Sequence, residues 1–136
     1  MSKTIKRNIG KKVLTATLTL VLLLSMSAIS AFAVKSVSVS GAINGYATSG
    51  TSSISQSNAF ASTTYDHSGS VFVSATYSYV NVDTLTTGTS FKNNGHYTTC
   101  TVDFYAPNNC RSVKITSNHS VSAYSQTWTA NTSATY

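Results

Sequence analysis

The segment Ser70-Val71-Phe72-Val73-Ser74-Ala75-Thr76-Tyr77-Ser78-Tyr79 decides the fold. Val71, Val73, Ala75, Tyr77 and Tyr79 fall on one side of a two-residue period, and Phe72, Ser74, Thr76, Ser78 and Val80 on the other. A helix would scatter these side chains around its axis, whereas an extended chain sorts them onto two faces. The period predicts a strand from Ser70 to Val82. Val80 and Val82 place apolar groups on both sides near its end, as at a bulge or in a strand covered on both faces.

Before this strand, Asp66-His67-Ser68-Gly69 has the composition of a turn. A strand is expected over Ser52–Thr63, with Ile54 and Phe60 facing the core, and Ser49-Gly50 marks a turn before it. The first strand begins at Val37 and Val39 and runs to about Tyr46, with Gly41 and Gly45 as bulges or bends. After the central strand, Asp83 to Gly95 holds two glycines and the pair Asn93-Asn94, and is expected to be a long, binding-competent connection. Further strands are expected at His96–Tyr105 (Cys100, Val102 and Phe104 on one face), Arg111–Thr116 (Val113 and Ile115 inward) and His119–Ala130. About six strands in a hundred residues describe an all-β fold, a small antiparallel β-sandwich.

Composition agrees. From Val34 onward there are 20 Ser, 17 Thr, ten Val and eight Tyr, against one Leu (Leu85), no Met and no Glu. Helix-forming residues are nearly missing and β-formers abundant. A Ser/Thr-rich chain of low charge invites a disordered reading, which the aromatic content and the alternation oppose.

The net charge of +6 comes from nine Lys and Arg against three Asp. Five of the nine basic residues lie within the first twelve positions, ahead of the apolar run Val13–Ile29 and then Ala31-Phe32-Ala33. A basic start, an apolar stretch and a small-x-small site define a secretory signal peptide, with Ala31 and Ala33 at the cleavage site. Residues 1–33 are therefore expected to be the signal peptide and 34–136 a single secreted, extracellular domain, in the style of a Gram-positive bacterium, meeting the membrane only during export. The exported part keeps four basic and three acidic residues, a net of +1, so a nucleic-acid-binding surface is excluded.

Cys100 and Cys110 are the only cysteines, and an even count in an exported chain favours a disulfide. A tight hairpin at Pro107-Asn108 would leave the two about 16 Å apart along the strands, too far to bridge. Either that turn is not a tight hairpin or the cysteines approach through a bent loop; a disulfide-closed loop at a sheet end is the expectation. Catalysis has little to stand on, with no Glu, no GxSxG and no paired carboxylates, so no enzyme and no cofactor is expected. His67, His96 and His119 lack metal-ligand spacing, and no metal is expected. The aromatic residues carry more information. A Tyr ring offers a flat apolar face with a hydrogen-bonding tip, suited to sugars, peptides and interfaces. Trp128 is expected in the core.

The run Tyr65-Asp66-His67-Ser68-Gly69-Ser70, continuing into Ser74-Ala75-Thr76 and Asn81, resembles the lactococcin family of secreted bacteriocins. The resemblance covers about Phe60–Val82. It implies a compact exported β-sandwich that acts on cell-wall synthesis by binding lipid II, with Tyr65, His67 and the Ser70–Val82 strand as recognition residues. Tyr77 and Tyr79 on that strand join Tyr65 and His67 as the candidate binding set. The functional expectation is a bacteriocin-like protein binding a cell-wall precursor or surface glycan of neighbouring bacteria. The alternative is an adhesin, glycan-binding or matrix module without toxicity.

Overall fold

The computed structural model describes residues 34–136; the expected signal peptide and its expected cleavage site at Ala31 and Ala33 lie outside the described residues. The described residues are all-β, with eight strands: β1 Lys35–Ile43, β2 Tyr46–Ile54, β3 Asn58–Tyr65, β4 Ser70–Asn81, β5 Thr87–His96, β6 Thr99–Tyr105, β7 Cys110–Ala123 and β8 Gln126–Thr135. They form two antiparallel four-stranded sheets, β1-β2-β3-β6 and β5-β4-β7-β8. The chain crosses between the sheets after β3, β5 and β6. Because every pairing is antiparallel, the β1–β2, β3–β4, β5–β6 and β7–β8 connections all gather at one end, called the upper end below.

β4 confirms the period that predicted it: Val71, Val73, Ala75 and Tyr77 are buried on its inner face. Eight strands replace the expected six because the expected Ser52–Thr63 strand breaks at 55–57, where the Ser55 amide donates to the Asn58 carbonyl, and because β5 forms where a connection was expected. The other boundaries shift without adding a strand. Asn44-Gly45, both at positive φ, closes a two-residue β1–β2 hairpin, so the first strand ends at Ile43 and Tyr46 opens β2. The Asp83–Gly95 connection is mostly strand β5. Only a short turn precedes it, nucleated by the Asn81 carboxamide oxygen, which accepts from the amides of Asp83 and Thr84. Tyr124 and Ser125, also at positive φ, cut His119–Ala130 in two; its first half is continuous with Arg111–Thr116 in β7, and its second half opens β8. The expected turn at Ser49-Gly50 is instead mid-strand in β2.

Other placements also differ from expectation. Ile54 is in the core, but Phe60 points outward and is 40% exposed. Ile115 is buried, whereas Val113 falls at a register shift between β4 and β7 and is half-buried. Trp128 is half-buried, packed on the core and lying across Gly41 of β1.

The disulfide expectation is overturned: Cys100 and Cys110 are both free. Cys100 pairs with Thr63 near the upper end of one sheet, while Cys110 pairs with Asn81 at the lower end of the other. The Pro107 connection arches between the sheets instead of folding back within one. Five residues of strand, about 16 Å, plus a sheet spacing of about 10 Å separate the thiols, against a bridging limit of about 7 Å between Cα atoms. Burial pushes the Cys100 thiol up from its ordinary value.

The core is apolar toward the lower end, where Ile54, Ala59, Phe104, Ile115, Ala134 and Tyr77 meet, and Tyr77 stacks on Phe104 at 5.3 Å. Its middle is polar. Ser117 Oγ lies 2.7 Å from Ser52 Oγ, which lies 2.5 Å from Thr132 Oγ1, itself 2.8 Å from His119 Nε2. On the other side of the ring, His119 Nδ1 is 2.8 Å from Thr63 Oγ1, and that hydroxyl donates to the Phe72 carbonyl at 3.1 Å. The carbonyl can only accept, so it orders the whole series. Thr63 donates to it and therefore accepts from His119 Nδ1–H. Nε2 is then bare and accepts from Thr132, which accepts from Ser52, which accepts from Ser117. His119 is thereby assigned as the neutral Nδ1–H tautomer. Burial lowers its pKa.

Gly50 makes room for this ring, since a Cβ there would sit 2.4 Å from His119 Cγ. Both ring nitrogens are tethered, so the ring has little freedom to retreat. Gly50→Ala should therefore cost about 1–3 kcal/mol by overpacking, read as a lower urea midpoint.

The pH dependence has a definite sign. Unfolded, His119 takes a proton near its ordinary value of 6.5; folded, it stays neutral to lower pH. Stability is complete above about 6.5 and falls by about 1.4 kcal/mol per pH unit below it, until the folded pKa is reached. Urea unfolding between pH 7.5 and 5 should show this slope, and His119→Gln should flatten it.

Candidate binding site

The two hairpin turns of the upper end bring together side chains that are far apart in sequence. Tyr46 opens β2 directly after the Asn44-Gly45 turn, and Tyr65 closes β3 opposite Thr48. His67 lies in the β3–β4 connection, held by the Asp66 amide donating to the Ala47 carbonyl at 3.0 Å. Tyr124 occupies the first position of the β7–β8 turn with φ of 51°, a conformation that L residues other than Asn and Asp seldom adopt. Such backbone is kept where surrounding structure requires it, often at functional surfaces.

The rings form one cluster. Tyr46 and His67 are 4.3 Å apart between centroids, Tyr46 and Tyr124 are nearly parallel (13°) at 6.4 Å, and His67 and Tyr124 are 5.8 Å apart. The Tyr124 hydroxyl lies 3.3 Å from His67 Nδ1. Tyr65 lies beneath, its ring edge-on to Tyr46 at 6.3 Å. Tyr46 is 38% exposed and Tyr124 52%, so flat apolar faces and hydroxyl tips meet solvent together. Burial, followed by the nearby Tyr124 and Tyr46 phenols, raises the Tyr65 pKa. Asp66 is the single Asp, Lys or Arg in the upper-end connections, while Lys35, Arg111 and Lys114 lie toward the other end.

Of the four candidate residues, the structure brings Tyr65 and His67 together and leaves Tyr77 and Tyr79 apart. Tyr77 is fully buried, its hydroxyl 2.8 Å from Ser112 Oγ, and Tyr79 packs beside it over Gly88. Tyr46 and Tyr124 were missed. The Asn44-Gly45 dipeptide is a strong hairpin signal that would have put Tyr46 at a tip. No comparable signal marks Tyr124-Ser125, which lacks glycine.

His119 has hydroxyl neighbours at distances a catalytic base would use, but it is 1% exposed with the Gly50 backbone against its ring, so its role is structural. Among the described residues no three His, Cys, Asp or Glu side chains converge as metal ligands. A second concave surface runs along the flank between β5 and β6. Phe91, Asn93, Asp103 and Tyr105 line it, and its floor is tied by Lys92 Nζ donating to the Asp103 carbonyl and Asn94 Nδ2 to the Thr101 carbonyl. No family model, curated protein or solved structure matches this chain, so its function has to be argued from the upper-end cluster itself.

Proposed function

We propose that this is a secreted, non-enzymatic, bacteriocin-like protein that binds a cell-envelope component of neighbouring bacteria, a cell-wall precursor or surface glycan, through its aromatic upper end. The observation that carries the reading is the exposed Tyr46–His67–Tyr124 cluster, built from three separate connections on a hydrogen-bonded scaffold. Ring faces with adjacent hydroxyl and imidazole groups stack on the C–H faces of sugars and bond their hydroxyls. The similarity of the Tyr65–Asn81 run to the lactococcin family supports the toxic outcome.

A non-toxic adhesin or matrix module is the second reading, favoured by the exposed Phe60, Phe91 and Tyr105 on the β3–β5–β6 flank. Assembly through the β6 edge is disfavoured, because Lys92 and Asn94 already occupy its Asp103 and Thr101 carbonyls.

Purified protein should co-sediment with isolated Gram-positive envelopes and inhibit growth of some strains. Tyr46→Ala and Tyr124→Ala should each weaken sedimentation about tenfold or more with little change in melting temperature. Sedimentation without inhibition of any strain would select the adhesin reading. Absence of envelope binding would remove both.

A further inference from the structure

Two buried side-chain hydroxyls among the described residues have no hydrogen-bond partner: Thr48 Oγ1 and Tyr65 Oη. They are not scattered. Thr48 and Tyr65 are directly opposed in the β2–β3 register, on the inner face, one layer below Tyr46. Both residues are nearly closed to solvent, at 2% and 3% exposure. A buried hydroxyl without a partner is unfavourable, and natural cores contain few. Tyr65 lies against Tyr46 and His67 of the aromatic cluster, and the Thr48 hydroxyl faces Gly41 of β1 on the side where Trp128 lies.

We infer that Tyr46, His67 and Tyr124 are a movable cover over a subsite whose floor is the Thr48 and Tyr65 hydroxyls, and that the subsite takes an uncharged sugar ring. This inference rests on the envelope-binding reading and names the chemistry of that site. The cover is held by ring contacts and by long polar contacts of the His67 ring with the Tyr124 hydroxyl (3.3 and 3.5 Å) and the Ser68 carbonyl (3.5 Å), so displacing it is a side-chain rotation and not an unfolding event. Once it is displaced, a ring hydroxyl or hydroxymethyl group satisfies Thr48 and Tyr65, while the sugar's C–H face lies on Tyr46 or Tyr124. Charge selects the ligand class. The upper-end connections hold Asp66 and no Lys or Arg, so the His67 imidazole beside that carboxylate is their single group able to become cationic, a weak match for a phosphate or carboxylate. A phosphorylated envelope component would thus present its sugar, not its phosphate, to this end.

The test uses two near-isosteric variants, Thr48→Val and Tyr65→Phe, each of which deletes one unpartnered hydroxyl. Binding of chitotetraose, cellotetraose, mannotetraose and, as charged comparators, glucose 6-phosphate and glucuronic acid is measured by titration calorimetry. At least one neutral oligosaccharide should bind the unaltered protein better than the charged sugars. Each variant should weaken that binding about tenfold while melting at the same temperature or higher. In the titrations, any of these results would overturn the inference: no neutral sugar binds, a charged sugar binds better, or both variants bind as the unaltered protein does. The last, with raised melting temperatures, would mean the hydroxyls serve at most a buried water. Variants that still sediment with envelopes while Tyr46→Ala does not would sink this inference and leave the proposed function standing. Loss of envelope binding by the unaltered protein would instead remove the function.

Discussion

The hydrogen-bonded series from Ser117 through Ser52, Thr132, His119 and Thr63 to the Phe72 carbonyl holds the two sheets together where apolar packing is thin. Ser52 and Thr63 belong to one sheet, and Ser117, His119 and Thr132 to the other, so four of its five side-chain links relate to register between sheets. A buried polar network of this kind is favourable only when every member is satisfied. One terminal carbonyl orders all the donors, leaving His119 one workable protonation state. With a single leucine in the domain and much of the inner face made of Ser, Thr, Gly and Ala, positional hydrogen bonding supplies specificity that side-chain volume cannot. It also explains why Gly50 stands in the middle of a strand.

The fold was legible where one face is buried and apolar. Ser70–Asn81 and the Cys100-Val102-Phe104 series alternate because solvent lies on one side and the core on the other. β5, with sequence Thr-Gly-Thr-Ser-Phe-Lys-Asn-Asn-Gly-His, is an edge strand exposed along most of its length and has no alternation to read. The polar inner face of β7 was hidden for a different reason. Ser112, Ser117 and His119 are core positions occupied by hydrogen-bonding side chains, which periodicity arguments assign to solvent. The disulfide expectation failed because cysteine count carries no topology: the 106–109 connection changes sheets, and no local residue announces it.

The candidate site was half legible. Tyr65 and His67 lie close together in sequence, flanking a turn, and remain together in the fold. Tyr46 and Tyr124 join them only because the β1–β2 and β7–β8 hairpins end at the same level on opposite sheets, which depends on the register of the whole sandwich. The same register places Thr48 opposite Tyr65 and Trp128 across Gly41, so the floor of the upper end is a consequence of pairing and not of any motif. The separation of charge follows from topology as well: cationic side chains fall toward the lower end and aromatic ones at the hairpin tips.

The most direct test of the upper end as the recognition surface is a backbone amide chemical-shift map of the labelled protein titrated with solubilised envelope glycan. The account predicts perturbations concentrated at residues 44–48, 65–69 and 124–125, with the β4–β7 core unmoved. Perturbations confined to the Phe91–Tyr105 flank or to the basic lower end, or none at all, would contradict it.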